Sequence, residues 1–452
     1  MPNNKENLSP EHEYLGFNKS IAYGLQHVLT MYGGIIAPPL IVGAAAGLSG
    51  MEIGLLITAA LFVGGLATIL QTIGVKYIGA QLPLVQGVSF AGVATMIAIV
   101  TTGGGLQAVY GAVIVASLIG FFLAPYFSKI IRFFPPIVTG CVITIIGLSL
   151  LPVAVRWMMG GNKNASDWGS IENISLALIT LAVVILLNLS RHAVIRRLSI
   201  LLAIVFGTIL AFTFGFGDLS LVGQGALIQF PGFFAFGMPT FEFTAILSML
   251  IVTLVIMTET TADILAVSEI IGTDVDAKRI SNGLRADMLS SAVAPIFGSF
   301  MQSAFAQNVG LVAITGVKSR YVVAAGGMIL VLLGLLPVMG YFIAAIPVPV
   351  LGGAGLVLFG TVSASGIRTL AKIDYNEQKN LIIVATSIAA GMIPIIDASF
   401  YAHFPQWVQT LFHSGISSTC LMAIMLNILF NHVRFFEKKT NIKTNQTIDL
   451  HH

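Results

Sequence analysis

Several side chains capable of chemistry stand inside long apolar stretches of this chain. Glu259 and Asp263 lie four residues apart, one helical turn, and so share a helix face. Gln307-Asn308 begin one apolar run, Gln26-His27 lie within another, and Asp287 opens a third. An ionisable group inside a membrane span is costly and marks a functional site by default. Glu259 is near the middle of its stretch with no basic neighbour in sequence, which favours substrate binding or proton carriage over structural pairing. Asp263 is balanced between helix-to-helix pairing and function. Asp287 stands two residues from Arg285, so a pairing between them competes with a functional role. His27 fits a hydrogen-bonded core histidine, with a proton relay as the alternative. Asp374 and Asp397 fall at loop edges, where solvation suffices.

A primary amide such as that of Gln307 offers a donor and an acceptor side by side, which matches the edge of a nucleobase. A carboxylate such as Glu259 accepts two N–H bonds from an imide or imidazole edge. Phe90 and Phe305 have the flat rings to stack on such a base, although plain packing is the commoner fate of an aromatic side chain.

These residues need a membrane to hold them. Hydrophobic residues make up 56% of the chain and charged residues 9%, against roughly 25% charged in soluble domains. Cys141 and Cys420 both sit in apolar segments, which argues against a disulfide framework or metal site. The net charge of +3, without a long basic run, gives no nucleic-acid signal. Residues 1–19 lack the pattern of a cleaved signal peptide. Apolar stretches run over 20–43, 51–73, 78–102, 106–127, 133–155, 171–190, 198–216, 241–267, 284–303, 304–317, 321–345, 350–370, 380–396 and 408–431. Their richness in glycine suits a closely packed helical bundle.

With 14 crossings, all but Arg156 and Lys163 of the 22 basic residues fall on one side, and the positive-inside rule makes that side, with both termini, cytoplasmic. Arg285 and Lys318 belong to this same face with 32 residues between them. One helix of that length would reach about 48 Å and end on the wrong side. Two short elements must enter and return there, and broken elements near the midplane are where transporters hold their substrates. The segment Gln86–Thr95 resembles Gln307–Thr315 at about half the chain's length, as two seven-span halves in an inverted repeat would give. Pro83 and Gly87 predict that the third span is not a continuous helix.

The segment Gln307-Asn308-Val309-Gly310-Leu311-Val312-Ala313-Ile314-Thr315-Gly316 resembles the signature of the nucleobase/ascorbate transporter family. Gln26-His27 is similar to that family's Gln-His motif. Glu259-Thr260-Thr261-Ala262-Asp263 is similar to its Glu-x-x-Gly-Asp motif, and Asp287 stands twenty residues before Gln307 as in the family. The resemblance covers essentially the whole chain and implies an all-α polytopic protein of 14 transmembrane segments, a 7+7 inverted repeat with strand-like breaks in spans 3 and 10. It implies a core domain (20–127 and 241–345), a gate domain (133–216 and 350–431) and cytoplasmic tails (1–19 and 432–452), usually in a homodimer in the cell membrane.

By the same resemblance Glu259 and Gln307 bind substrate, with Ser89, Phe90, Phe305 and Ala306 around the pocket. Asn308 and Asp287 then influence specificity and turnover, and His27 and Asp263 support the site. Gln307 resembles the bacterial purine members, taking xanthine or uric acid with a proton as coupling ion and no cofactor, whereas uracil members tend to carry Glu there. Two departures stand out. Ala262 replaces the usual glycine, and Ser89 stands where xanthine-selective members often have Asn, which leaves room for uric acid. The rival readings are an anion transporter of the same architecture, which favours a basic or helix-terminal site, and a channel or membrane enzyme, for which the chain has no nucleophile or metal-ligand cluster.

Overall fold

The structure, a computed structural model, describes residues 9–127, 134–216, 227–397, 399–405, 408–409, 412 and 414–431. It is a bundle of apolar helices. In chain order these are α1 (Phe17–Ala45), α2 (Gly50–Ile73), α3 (Val93–Ile99), α4 (Gly105–Leu123), α5 (Pro136–Met158), α6 (Ile171–Asn188) and α7 (Ser199–Thr213). The second half holds α8 (Phe243–Ile271), α9 (Ala277–Val293), α10 (Ala306–Thr315), α11 (Arg320–Gly334), α12 (Pro337–Ala344), α13 (Val348–Leu370), α14 (Gln378–Ile396) and α15 (Gly415–Asn431). Two three-residue strands, β1 (Gln86–Val88) and β2 (Gln302–Ala304), precede α3 and α10. Among the described residues eight helices are long and apolar enough to cross a membrane, or nine if the bent pair α11–α12 counts as one span.

Local sequence sets the helix ends. Ser49 and Glu52 form a reciprocal capping box at the start of α2, which satisfies backbone donors the first turn leaves free. Asp276 caps α9 by accepting from the Arg279 N–H at 2.7 Å. Three expected boundaries move. In the span at 78–102 the helical run begins only at Phe90, with a 3-10 turn over Phe90–Gly92 leading into α3, because residues 86–88 pair as a strand; a π-helical segment at Val100–Gly104 then links α3 to α4. The helix expected from 284 starts at Ala277, so Lys278 and Arg279 lie within it as well as Arg285. The stretch 321–345 bends by 79° between α11 and α12, where Pro337 has no N–H to continue the helical ladder.

The helices pack mainly in two sets. In one, α1, α2, α4, α8, α9, α11 and α12 surround β1, β2, α3 and α10; in the other, α5, α6, α7, α13, α14 and α15 pack together. Small residues make the seams. A Cβ on Gly65 of α2 would lie 2.5 Å from the Gly327 carbonyl oxygen of α11, and Gly147 and Gly366 bring α5 and α13 equally close. Such contacts drive helix association where no hydrophobic gain is available.

Candidate functional site

The two strands meet inside the first set of helices, antiparallel, with Gln86 opposite Ala304, Gly87 opposite Ser303 and Val88 opposite Gln302. The Ser89 N–H donates to the Met301 carbonyl (2.8 Å) and the Phe305 N–H to the Val85 carbonyl (3.1 Å), which extends the ladder at both ends. Gly87 is required because the Phe305 ring occupies the place of a side chain, 2.6 Å from where a Cβ would stand. Backbone that leaves a helix at membrane depth must find partners within the protein, and three helices supply them. Thr68 of α2 accepts from the Gln86 N–H at 2.9 Å. Ser291 of α9 accepts from the Gln302 N–H at 2.8 Å. Thr260 of α8 accepts from the Ala304 N–H at 3.4 Å.

Asp287 and Thr260 join this framework. Both are fully buried, and the Thr260 hydroxyl donates to Asp287 Oδ2 at 2.5 Å. Gln71 Nε2 donates to Asp287 Oδ1 at 3.1 Å. The competing pairing of Asp287 with Arg285 is not formed. Residues two apart point away from each other on a helix, and the Arg285 guanidinium lies instead over the Phe121 ring at 5.9 Å.

His27 and Asn308, 281 positions apart, are in contact: His27 Nδ1 lies 2.7 Å from Asn308 Oδ1. Asn308 Nδ2 donates to the Pro83 carbonyl at 2.6 Å, which fixes the amide's orientation. The oxygen facing His27 only accepts, so Nδ1 carries the ring proton.

Glu259 and Asp263 are half-buried on α8, and neither has a hydrogen bond or ion pair among the described residues. Glu259 lines a small cavity with Val255 and Thr258 of its own helix, Phe134, and Thr139 and Val142 of α5. That cavity lies between the two helix sets. Asp263 is within electrostatic reach of both Glu259 and Asp287. Gln307 and Ala306 lie on the exposed face of α10, together with Gly310, and the Gln307 amide is likewise unengaged. Ser89 is buried, and its hydroxyl accepts from the Ala91 N–H at 3.3 Å. Phe90 and Phe305 are both buried. Phe90 meets Phe359 of α13 edge-on at 6.2 Å, and Phe305 covers Gly87. Among the described residues no group of three His, Cys, Asp or Glu could hold a metal ion.

The short strands align in a different register from the segment match read in sequence. Gln86 begins β1 as Gln302 begins β2, so the counterpart of Gln86 is Gln302, five residues before Gln307. Thr68, Gln71 and Ser291 escaped the sequence reading, and Thr260 entered it only as a motif position without a role, since each is a neutral polar residue.

A permease-family model matches residues 18–398. The chain is 40% identical over 416 residues to the uric acid transporter UacT of Escherichia coli K12, covering 91% of this chain and 86% of that one. It is 38% identical over 416 residues to a xanthine permease of Bacillus subtilis 168, covering 92% and 94%. The transmembrane domain of a cyanobacterial bicarbonate transporter, BicA, shares the fold with a TM-score of 0.58 at 18% identity, covering 91% of this chain and 98% of that one. The protein therefore belongs to the nucleobase/ascorbate transporter family, a family of membrane permeases and not of enzymes.

Proposed function

We propose that this protein takes up a purine base, xanthine or uric acid or both, together with protons. One observation carries the reading. Glu259 and Gln307 are unengaged, while Asp287, Asn308 and His27 are tied into fixed hydrogen bonds. The first pair has the donors and acceptors a purine edge needs; the second group has spent its own on the framework. Relatives named as uric acid and xanthine transporters support the substrate class, and no cation faces Glu259 among the described residues to recommend a small anion instead.

In this reading the chain crosses the membrane 14 times as a 7+7 inverted repeat with breaks in spans 3 and 10. Both termini are cytoplasmic, and the protein works as a homodimer. The helix set holding the strands is the core, which moves against the other set, the gate, in an elevator-like cycle. Glu259 and Gln307 hold the base, and Ser89, Phe90, Phe305 and Ala306 shape its pocket. His27, Asp263, Asp287 and Asn308 support the site or the proton.

The test is uptake of labelled xanthine, uric acid, hypoxanthine and uracil by cells, with and without a proton uncoupler. Glu259→Gln and Gln307→Ala should cut purine uptake at least tenfold while the protein stays in the membrane. Wild-type rates in both variants, or uptake indifferent to the uncoupler, would sink the corresponding half of the proposal.

A further inference from the structure

Gln71 of α2 is fully buried and lies outside every motif that carries the family resemblance. Its amide makes three contacts outside its own helix. Nε2 donates to Asp287 Oδ1 (3.1 Å) and to the Gly283 carbonyl (3.3 Å), both on α9. Oε1 accepts from the Ala80 N–H at 3.0 Å. Its own backbone carbonyl also accepts from the Gln81 N–H at 2.9 Å. Gln81 holds a left-handed conformation, φ 54°, which non-glycine residues adopt only when their surroundings impose it. Two residues further on, the Pro83 carbonyl receives the Asn308 amide, whose oxygen faces His27.

Both polar supports of the candidate site therefore converge on one side chain. The amide nitrogen fixes the Asp287 carboxylate, and the amide oxygen fixes the loop that orients Asn308 and His27. We infer that Gln71 is a positioning residue for transport, acting through Asp287 on one side and through Ala80–Pro83 on the other. It touches no substrate; its effect is on how fast the loaded site turns over. This inference rests on the functional reading above.

The experiment measures initial uptake of labelled xanthine and uric acid against concentration, per molecule of protein in the membrane. The proteins are wild type, Gln71→Met, Asp287→Asn and the double variant. Gln71→Met keeps the side chain's length and removes its hydrogen bonds. Gln71→Glu is run beside it: it retains the acceptor for Ala80 and sets a carboxyl against Asp287 in place of the amide donor, so that contact is still tested if the methionine variant fails to fold.

We expect Vmax to fall at least fivefold in the Gln71 variants with KM changed less than twofold. We expect the double variant to lose less than the product of the two single losses, since Gln71 acts in part through Asp287 and residues acting through one another are not additive. Vmax within twofold of wild type, a loss that multiplies in the double variant, or a loss explained by protein abundance would overturn the role of Gln71. Failure of the wild type to take up either purine would instead overturn the functional reading, and this inference with it.

Discussion

Thr260 shows at the scale of one residue why part of the site was legible in sequence and part was not. Its neighbours Thr258 and Thr261 donate to carbonyls of their own helix at 2.8 and 2.7 Å, while Thr260 reaches Asp287. Nothing in the run Thr258-Glu259-Thr260-Thr261 distinguishes the three, because each hydroxyl has a local partner within reach. Glu259, Asp263 and Asp287 were legible because a carboxyl in an apolar run has no cheap local partner. Near the N-terminus, Glu11 is buried against Arg279 (2.7 Å) and accepts from the Thr273 hydroxyl (3.1 Å). Burial opposes its charge, but its backbone hydrogen bond, Arg279 and Thr273 outweigh it and hold the carboxyl below its ordinary 4.5. A carboxyl lowered on folding contributes stability above its unfolded value and loses it as pH falls through the folded one. Glu11→Gln should therefore lower the melting temperature of the purified protein at pH 7, and the gap to wild type should close as the pH drops below about 4.5. A gap independent of pH would count against the ion pair.

Among elements, the strong periodic spans were readable and the junctions were not. Composition reveals a membrane helix, but the bend at Pro337 and the early start at Ala277, capped by Asp276, turn on single residues that the average over a span conceals. The five-residue shift between the short strands and the segment match has a different origin, since strand pairing is set by positions more than 200 residues apart. Two of the cations on which the expected orientation rests also close helices. Lys318 Nζ donates to the Ile271 carbonyl at the end of α8 (2.9 Å), and Arg320 Nη1 donates to the Thr72 and Ile73 carbonyls at the end of α2 (3.0 Å each). A cation at a helix C-terminus pairs the last carbonyls and favours the dipole. Arg320→Leu should cost about 1.5–3 kcal/mol, the usual worth of a charged hydrogen bond, read as a lower melting temperature, with Arg320→Lys recovering part of it. Equal melting of the leucine variant and wild type would refute the capping role.

At the scale of the whole molecule, the two helix sets share few polar contacts among the described residues. Thr95 of α3 and Ser414 are both buried, and their hydroxyl oxygens lie 2.9 Å apart. Ser414 also accepts from the Ser417 N–H at 3.4 Å, which caps α15. This bond ties the half-helix that follows β1 to the opposite set, so relative movement of the sets must break it. In a background with Cys141 and Cys420 replaced by alanine, Thr95→Cys with Ser414→Cys should form a disulfide under oxidation. Purine uptake should then stop, and return on reduction. Uptake unchanged by a cross-link verified on gels would mean that the sets do not separate here during transport.

The pairing of β1 with β2 also has a consequence in time. Val88 leaves the ribosome more than two hundred residues before Gln302 follows it. At about 5–20 residues per second the first strand waits roughly 10–40 s for its partner. Through that interval only Thr68, already on α2, can take up a strand N–H, at Gln86; the others have no partner in the bilayer, where each costs several kcal/mol. The first strand must therefore be kept from lipid until the second arrives, and the site can form only after about two thirds of the chain has been made.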